Sequence, residues 1–241
     1  MRAIHYPELK ERLGEPVGAT INITGTSLFH LLKVVRLKIG EMVVLLDGDG
    51  ARAVGDIKSI SKRDISITLQ KIEMVKVSTP RIDLALGLPK KPAQLDAIRA
   101  AVEVGINRII PVTTQFAWPE LADRSRIERV VESAMLQSNN PNIPEILDPI
   151  SFDQLIQDYF INYDSVITFT LDHQLGVKRP DLNRKSEQIL LFIGPEGGES
   201  PSEKQQLADN SKVQLVNLNM PILRSETAVS VVAGYLQGQI A

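Results

Sequence analysis

Cysteine is absent from the 241 residues. That absence removes disulfides, zinc ribbons, iron–sulfur clusters and thiol catalysis together, and makes a reducing cytoplasm the expected location. Long hydrophobic runs are missing too. No stretch approaches the roughly 20 apolar residues of a membrane span, and Met1-Arg2-Ala3-Ile4-His5-Tyr6-Pro7 lacks the apolar core of a signal peptide. No membrane partner is therefore expected. Histidine is scarce: His5, His30 and His173 stand too far apart for metal-ligand spacing, which predicts no metal site. A strong charge of either sign is also lacking, since 27 Lys+Arg against 29 Asp+Glu leave a net charge of −2 and no global field for nucleic acid. The imbalance is local. Residues 1–80 carry net +3 and residues 81–241 net −5, so a polyanion should meet the amino-terminal part first.

With 43% hydrophobic and 23% charged residues, the chain is a globular protein and neither a disordered segment, a collagen nor a coiled coil. Its length suits one or two domains with cores of their own. Residues 1–74 read as a small antiparallel barrel. Val43-Val44-Leu45-Leu46 runs into Asp47-Gly48-Asp49-Gly50, whose Asp-Gly pairs favour a tight hairpin, and Ala51 to Ile60 and the alternating Ile65-Ser66-Ile67-Thr68-Leu69 follow. One helix interrupts this pattern: Ser27 caps a turn with Leu28, Leu31, Leu32 and Val35 on one face and His30, Lys33 and Arg36 along a basic side.

Met74 to Pro80 reads as a linker, and residues 75–241 alternate strands with helices, which predicts an α/β domain with a mostly parallel sheet. Expected strands are Ile82 to Leu86, Arg108 to Val112, Val166 to Leu171, Ile189 to Ile193 and Val213 to Leu218. Expected helices start near Pro92, run from Ser125 to Gln137, and close the chain from Ser225 to Gln239. Asn139-Asn140-Pro141-Asn142-Ile143-Pro144 reads as a loop.

Two segments carry chemistry. In Ile193-Gly194-Pro195-Glu196-Gly197-Gly198-Glu199-Ser200-Pro201-Ser202-Glu203 a buried strand ends in a three-glycine turn, then Ser200 and Glu203 stand at capping-box spacing with Pro201 first in the helix. Glycines at such a strand end let backbone approach a ligand closely. Neither GxxxxGK[ST] nor GxGxxG is present, which argues against nucleoside triphosphates. In Leu218-Asn219-Met220-Pro221-Ile222-Leu223-Arg224-Ser225-Glu226-Thr227-Ala228 another strand exits into a loop, with Ser225 placed to cap the last helix and Arg224 and Glu226 to face a ligand or to form an ordinary surface pair. Asp123, Glu128 and Glu132 read as a solvated helix face. Trp118, beside Phe116 and Pro119, reads first as packing or interface and second as a stacking platform.

Gly194-Pro195-Glu196-Gly197-Gly198 followed by Ile222-Leu223-Arg224-Ser225-Glu226-Thr227-Ala228 resembles the two carboxy-terminal motifs of the RsmE family. Its members methylate N3 of a uridine in small-subunit (16S) ribosomal RNA with S-adenosylmethionine. The resemblance extends to His30-Leu31, Val35-Arg36, Asp47-Gly48, Lys90-Lys91, Ala101-Val102-Glu103-Val104-Gly105 and Ile110-Pro111, and so covers nearly the whole chain. It implies a PUA-like β-barrel that holds RNA, then a SPOUT α/β domain with a carboxy-terminal trefoil knot, an exception to the rule against threading. It also implies a homodimer.

Carried over residue by residue, the resemblance implies an adenosylmethionine pocket of Phe169 and Thr170; Ile193, Gly194, Glu196, Gly197 and Gly198; and Leu218, Met220, Ile222, Leu223, Arg224, Thr227 and Ala228. RNA would meet His30, Lys33, Arg36, Lys90 and Lys91. Methyl transfer to a uracil nitrogen needs an in-line geometry and removal of one proton, so Arg224 is the candidate for electrostatic stabilisation and Glu226 or Glu196 for the base. The sequence departs from the family at Phe116 and Asn140, where Arg is usual, at Leu136, where Glu is usual, and at Glu199, Asn219 and Pro221. Two alternatives remain open: an RNA-binding or assembly protein without this activity, and a methyltransferase with a different RNA acceptor.

Overall fold

The computed structural model describes residues 1–24, 37–170, 180 and 187–240, so the helix expected from Ser27, with His30, Lys33 and Arg36, lies outside the described residues, as do Leu171 and His173. The chain divides into two compact units, Met1–Lys76 with Met135–Asn142, and Val77–Ala134 with Ile143–Ala241.

Strands β1 (Arg2–His5), β2 (Thr20–Thr24), β3 (Met42–Leu46), β4 (Ala51–Ile60) and β5 (Asp64–Met74) build a sheet of order β1-β3-β4-β5-β2 in the first unit. Alternation along β4 and β5 turns Ala51, Ala53, Ile57, Ile65, Ile67 and Leu69 inward, where they join Ile4, Ile21, Val43 and Leu45 in one core. Gly48 and Gly50 adopt φ of 86° and 95° in the β3–β4 turn. There Asp47 Oδ1 accepts the N–H groups of Asp49 at 2.8 Å and Ala51 at 2.9 Å, so the Asp-Gly turn forms as its residues require. The sheet is not wholly antiparallel. The amino-terminal strand β1, which shows no alternation long enough to read, pairs parallel to β3. A connection of that length allows parallel pairing where a hairpin would forbid it.

A parallel sheet organises the second unit. Its strands are β6 (Arg81–Gly87), β7 (Arg108–Thr113), β8 (Glu145–Ile146), β9 (Ile150–Ser151), β10 (Ser165–Phe169), β11 (Gln188–Ile193) and β12 (Val213–Val216), in the order β12-β10-β11-β6-β7-β8 with β9 also on β7. From Ile82 to Gly87 and from Ile189 to Ile193 every residue is buried, as strands covered on both faces require. Ala85, Ile110, Val166, Leu190 and Phe192 pack with Phe152, Leu155, Phe160 and Leu207. Helices α1 (Lys91–Glu103) and α4 (Ser225–Ile240) pack on each other, and α4 lies against β11. Helix α2 (Arg124–Ser138) begins behind Asp123, whose side chain accepts from Ser125 Oγ and the Arg126 N–H, so this carboxylate caps the helix. Helix α3 (Pro201–Asp209) follows β11 directly.

One segment is added, and two local expectations need correction. Residues 145–162, left unassigned by periodicity, form β8, β9 and a run of helical turns, capped where Ser151 and Gln154 bond reciprocally. Strand β12 stops at Val216 and not at Leu218, because the Asn217 side chain accepts the Asn219 N–H at 2.7 Å and Asn219 turns left-handed at φ 54°. Ser225 is the first residue of α4, so the capping position falls on Arg224, whose carbonyl accepts the Ala228 N–H at 2.8 Å.

Candidate active site

Strand β10 lies between β12 and β11, and the three point the same way, so the loops at 170, 194–200 and 217–224 leave one edge of the sheet side by side. Ligands of open α/β sheets bind at that carboxyl edge. The edge holds a cleft of two adjoining lobes. One, of about 180 Å³, is mostly apolar, and the other, of about 700 Å³, carries the charged groups. Thr168, Phe169, Thr170, Ile193 and Gly194 border both.

The first loop holds its shape through glycine. At Gly197 a Cβ would come within 2.9 Å of Phe116 Cβ, and at Gly194 within 2.0 Å of Glu199 Oε1. At Gly87, where β6 ends beneath this loop, a Cβ would meet the Pro195 nitrogen at 2.7 Å. The loop then enters α3 through the capping box read from the sequence: Ser200 Oγ accepts the Glu203 N–H at 3.3 Å and Glu203 Oε2 accepts the Ser200 N–H at 2.7 Å.

Most of the cofactor candidates border the cleft. Phe169 and Thr170 come from β10 and its exit, Ile193, Gly194, Glu196, Gly197 and Gly198 from the first loop, and Leu218, Met220, Ile222, Leu223 and Arg224 from the second, with Ala228 behind them. Thr227 and Glu226 are not in the lining; Thr227 is exposed and Glu226 half-buried. Helical geometry explains the position of Glu226. Arg224 and Ala228 stand four residues apart on one face, whereas Glu226 is turned by about 200° from Arg224 at 100° per residue. Glu226 Oε2 is enclosed and has no hydrogen-bond partner among the described residues. Among the carboxylates, Glu196 borders the larger lobe and is exposed.

Glu199, Asn217 and Lys204, polar residues given no role by sequence reasoning, also line the cleft. Glu199 is half-buried in the larger lobe, where burial pushes its carboxyl above the usual range, while nearby Lys204 pulls it down and Glu203 pushes it up. Asn217 borders the apolar lobe at 8% exposure. Its Oδ1 is bonded to the Asn219 N–H, which leaves Nδ2 as a buried donor without a partner among the described residues. A departure from the family motif was the sole signal for Glu199, and Asn217 had none.

Of the RNA candidates that are described, Lys90 is exposed just before α1, and Lys91 pairs with Glu120 at 2.7 Å. No group of acidic or histidine side chains among the described residues could hold a metal ion. No helix of the described residues is long and apolar enough to cross a membrane.

Sequence models match both parts of the chain: an RNA methyltransferase domain over residues 77–237 and an RNA methyltransferase PUA domain over residues 23–70. The chain belongs to the RsmE family of RNA methyltransferases. It is 26% identical to ribosomal RNA small subunit methyltransferase E of Rickettsia conorii over 224 residues, 91% of this chain and 89% of that one. The relative of the same name from Bacillus subtilis is 26% identical over 87% of this chain and 86% of its own. Among solved structures, this RsmE-family chain is similar to the Neisseria gonorrhoeae methyltransferase E bound to S-adenosyl methionine, with TM-score 0.80 and 24% identity over 99% of this chain and 98% of that one. A Legionella pneumophila methyltransferase in complex with the same cofactor has TM-score 0.76 and 21% identity over 99% and 98%.

Proposed function

We propose that this RsmE-family chain binds S-adenosylmethionine in the two-lobed cleft and methylates N3 of a uridine in 16S ribosomal RNA, as a cytoplasmic homodimer. Residues 1–74 form the PUA-like part that holds RNA and residues 75–241 the SPOUT methyltransferase part, with the segment after β12 threaded as a trefoil knot.

The observation that carries this reading is the division of the cleft. Its apolar lobe, between Phe169, Leu218, Met220 and Leu223, suits a flat heterocycle, and the unpartnered Asn217 Nδ2 beside it supplies a donor of the kind a purine nitrogen accepts. The larger lobe offers Glu199 to a cationic, amino-bearing end and Lys204 to a carboxylate, and leaves Glu196 and Arg224 to face the acceptor. Gly194 leaves room for the Glu199 carboxylate and Gly197 for Phe116, so both neighbours sit close against the loop backbone. These residues fit the cofactor, and Thr227 would support the second loop from outside the lining.

When bound, the cofactor supplies a methyl group made electrophilic by its sulfonium, so no metal is required. The chain must orient the uracil nitrogen in line with that carbon and take the proton from N3. Arg224, at the lobe wall, stabilises the charge that develops on the uracil ring. Glu196, exposed at the rim, accepts the N3 proton and releases it to water; Glu226, outside the lining, serves the base role less well. Lys90, His30, Lys33 and Arg36 meet phosphates, while Lys91 must first leave Glu120.

Calorimetry with adenosylmethionine, followed by mass spectrometry of 16S ribosomal RNA incubated with protein and cofactor, tests this. One cofactor per chain and a new N3-methyluridine are expected. Absence of binding heat would remove the cofactor reading, and methylation at another atom would reassign the acceptor. Sedimentation should show a dimer at micromolar concentration.

A further inference from the structure

Phe116 and Trp118 are 50% and 41% exposed on the loop after β7. That loop is pinned along its length. The Gln115 N–H donates to Glu203 Oε1 at 2.8 Å, the Ala117 N–H to the Thr114 carbonyl at 3.2 Å, and the Trp118 N–H to the Leu88 carbonyl at 2.8 Å. A backbone so held places two large, half-exposed rings two residues apart on one loop, and clustered exposed apolar groups mark an interaction surface.

The surface borders the cleft. Phe116 lies against Gly197, which lines the larger lobe, and the second loop exposes Ile222 from the same lining. A cation stands close in the chain: Lys90 follows Leu88, the residue whose carbonyl holds Trp118, by two positions, is exposed, and forms no ion pair among the described residues. Aromatic faces with a neighbouring cation match an unpaired nucleic-acid strand, whose bases stack while its phosphates meet Lys or Arg.

We propose that Phe116 and Trp118 form a stacking platform for unpaired RNA bases, with Phe116 receiving the base that enters the cleft and Trp118 its neighbour. This rests on the reading of RNA as substrate and adds how the acceptor is held. An acceptor must leave any duplex before N3 can be reached, and a ring waiting at the rim favours that exposed state. The platform is tolerant of base identity, because every base has a π face; selection of uracil falls to the cleft itself.

Trp118 is the one tryptophan of the chain, so its fluorescence reports the platform directly. The intact protein without cofactor is titrated with single-stranded oligouridylate, following tryptophan emission and, in parallel, the anisotropy of a labelled oligonucleotide. Saturable quenching should coincide with binding. Phe116→Leu, which keeps an apolar side chain and removes the ring, and Trp118→Ala should each weaken binding on the order of tenfold, and Phe116→Tyr should retain it. Circular dichroism verifies that each variant is folded. The proposal is overturned if the oligonucleotide binds without quenching, or if Phe116→Leu binds as the parent does. It is also overturned if emission follows protein concentration and not RNA, which assigns the rings to a second copy of this chain. Failure of the methyltransferase reading shows separately, as missing adenosylmethionine heat with quenching intact.

Discussion

The Glu203 carboxylate accepts the Gln115 N–H at 2.8 Å across 88 positions of sequence while its second oxygen accepts the Ser200 N–H at 2.7 Å. One side chain, 7% exposed, thereby caps α3 and fixes the loop that carries Phe116. The first role is local and the second is tertiary. Glu203→Ala removes both bonds and leaves two backbone donors to find water, so it should destabilise the protein by about 3 kcal/mol. Denaturant unfolding measures this, and a loss below about 1 kcal/mol would show that the Gln115 bond contributes nothing beyond an ordinary cap.

Gly197→Val should abolish adenosylmethionine binding, because its Cβ would lie 2.9 Å from Phe116 Cβ. Alanine keeps that Cβ, so the obstacle survives truncation of the ring. Calorimetry should therefore find no rescue in Gly197→Val with Phe116→Ala, and a rescue would place the conflict with the ring instead.

Burial raises the Glu199 carboxyl above its usual range. A raised acid favours the protonated folded form, so its contribution to stability is present at low pH and is lost as pH rises from the ordinary carboxylate value through the raised one. Glu199→Gln should flatten that slope and gain stability at neutral pH. The ionised form also attracts a cationic ligand. Adenosylmethionine affinity should rise across the same window in the parent protein and stay level in Glu199→Gln; equal pH profiles from calorimetry would detach Glu199 from the ligand.

At the opposite end of β6, Tyr163 donates its hydroxyl proton to Asp83 Oδ2 at 2.7 Å, and Arg108 stands 3.9 Å from the same oxygen. Asp83 is 7% exposed, and burial raises its carboxyl more than these partners lower it. Tyr163→Phe leaves the carboxylate without its donor and should cost about 2 kcal/mol at neutral pH. The loss should shrink in acid, where Asp83 is neutral. Asp83→Asn keeps an acceptor for the hydroxyl and should be as stable as the parent or more so at neutral pH. Thermal unfolding across a pH series separates these outcomes, and a Tyr163→Phe loss that does not change with pH would assign it to packing.

Secondary structure and the site loops were largely legible in the residues because their signals act over short range. Ser200, Pro201 and Glu203 encode the start of α3 within four positions, and Asp47-Gly48 and Asp49-Gly50 encode their turn the same way. The continuous apolar runs of β6 and β11 announce strands buried on both faces. Shorter elements carry too few residues for periodicity, so β1, β8, β9 and the helical turns of 152–162 are not visible in the sequence, whereas β2, as long as β3, carries a readable alternation that the strand assignment left out.

By itself, the sequence determined an α/β chain without cysteine and so without thiol chemistry, two glycine-containing loops after strands, and the residues that form both caps and turns, because each depends on neighbours a few bonds away. Tertiary structure alone decided the strand order that sets β10 between β12 and β11, and so brings those loops to one cleft. It also decided that Glu199 and Asn217 enter the lining while Glu226 turns from it, and that Phe116 rests on Gly197. These outcomes follow from packing between residues distant in the chain, where helix phase and sheet register, and not local preference, direct each side chain.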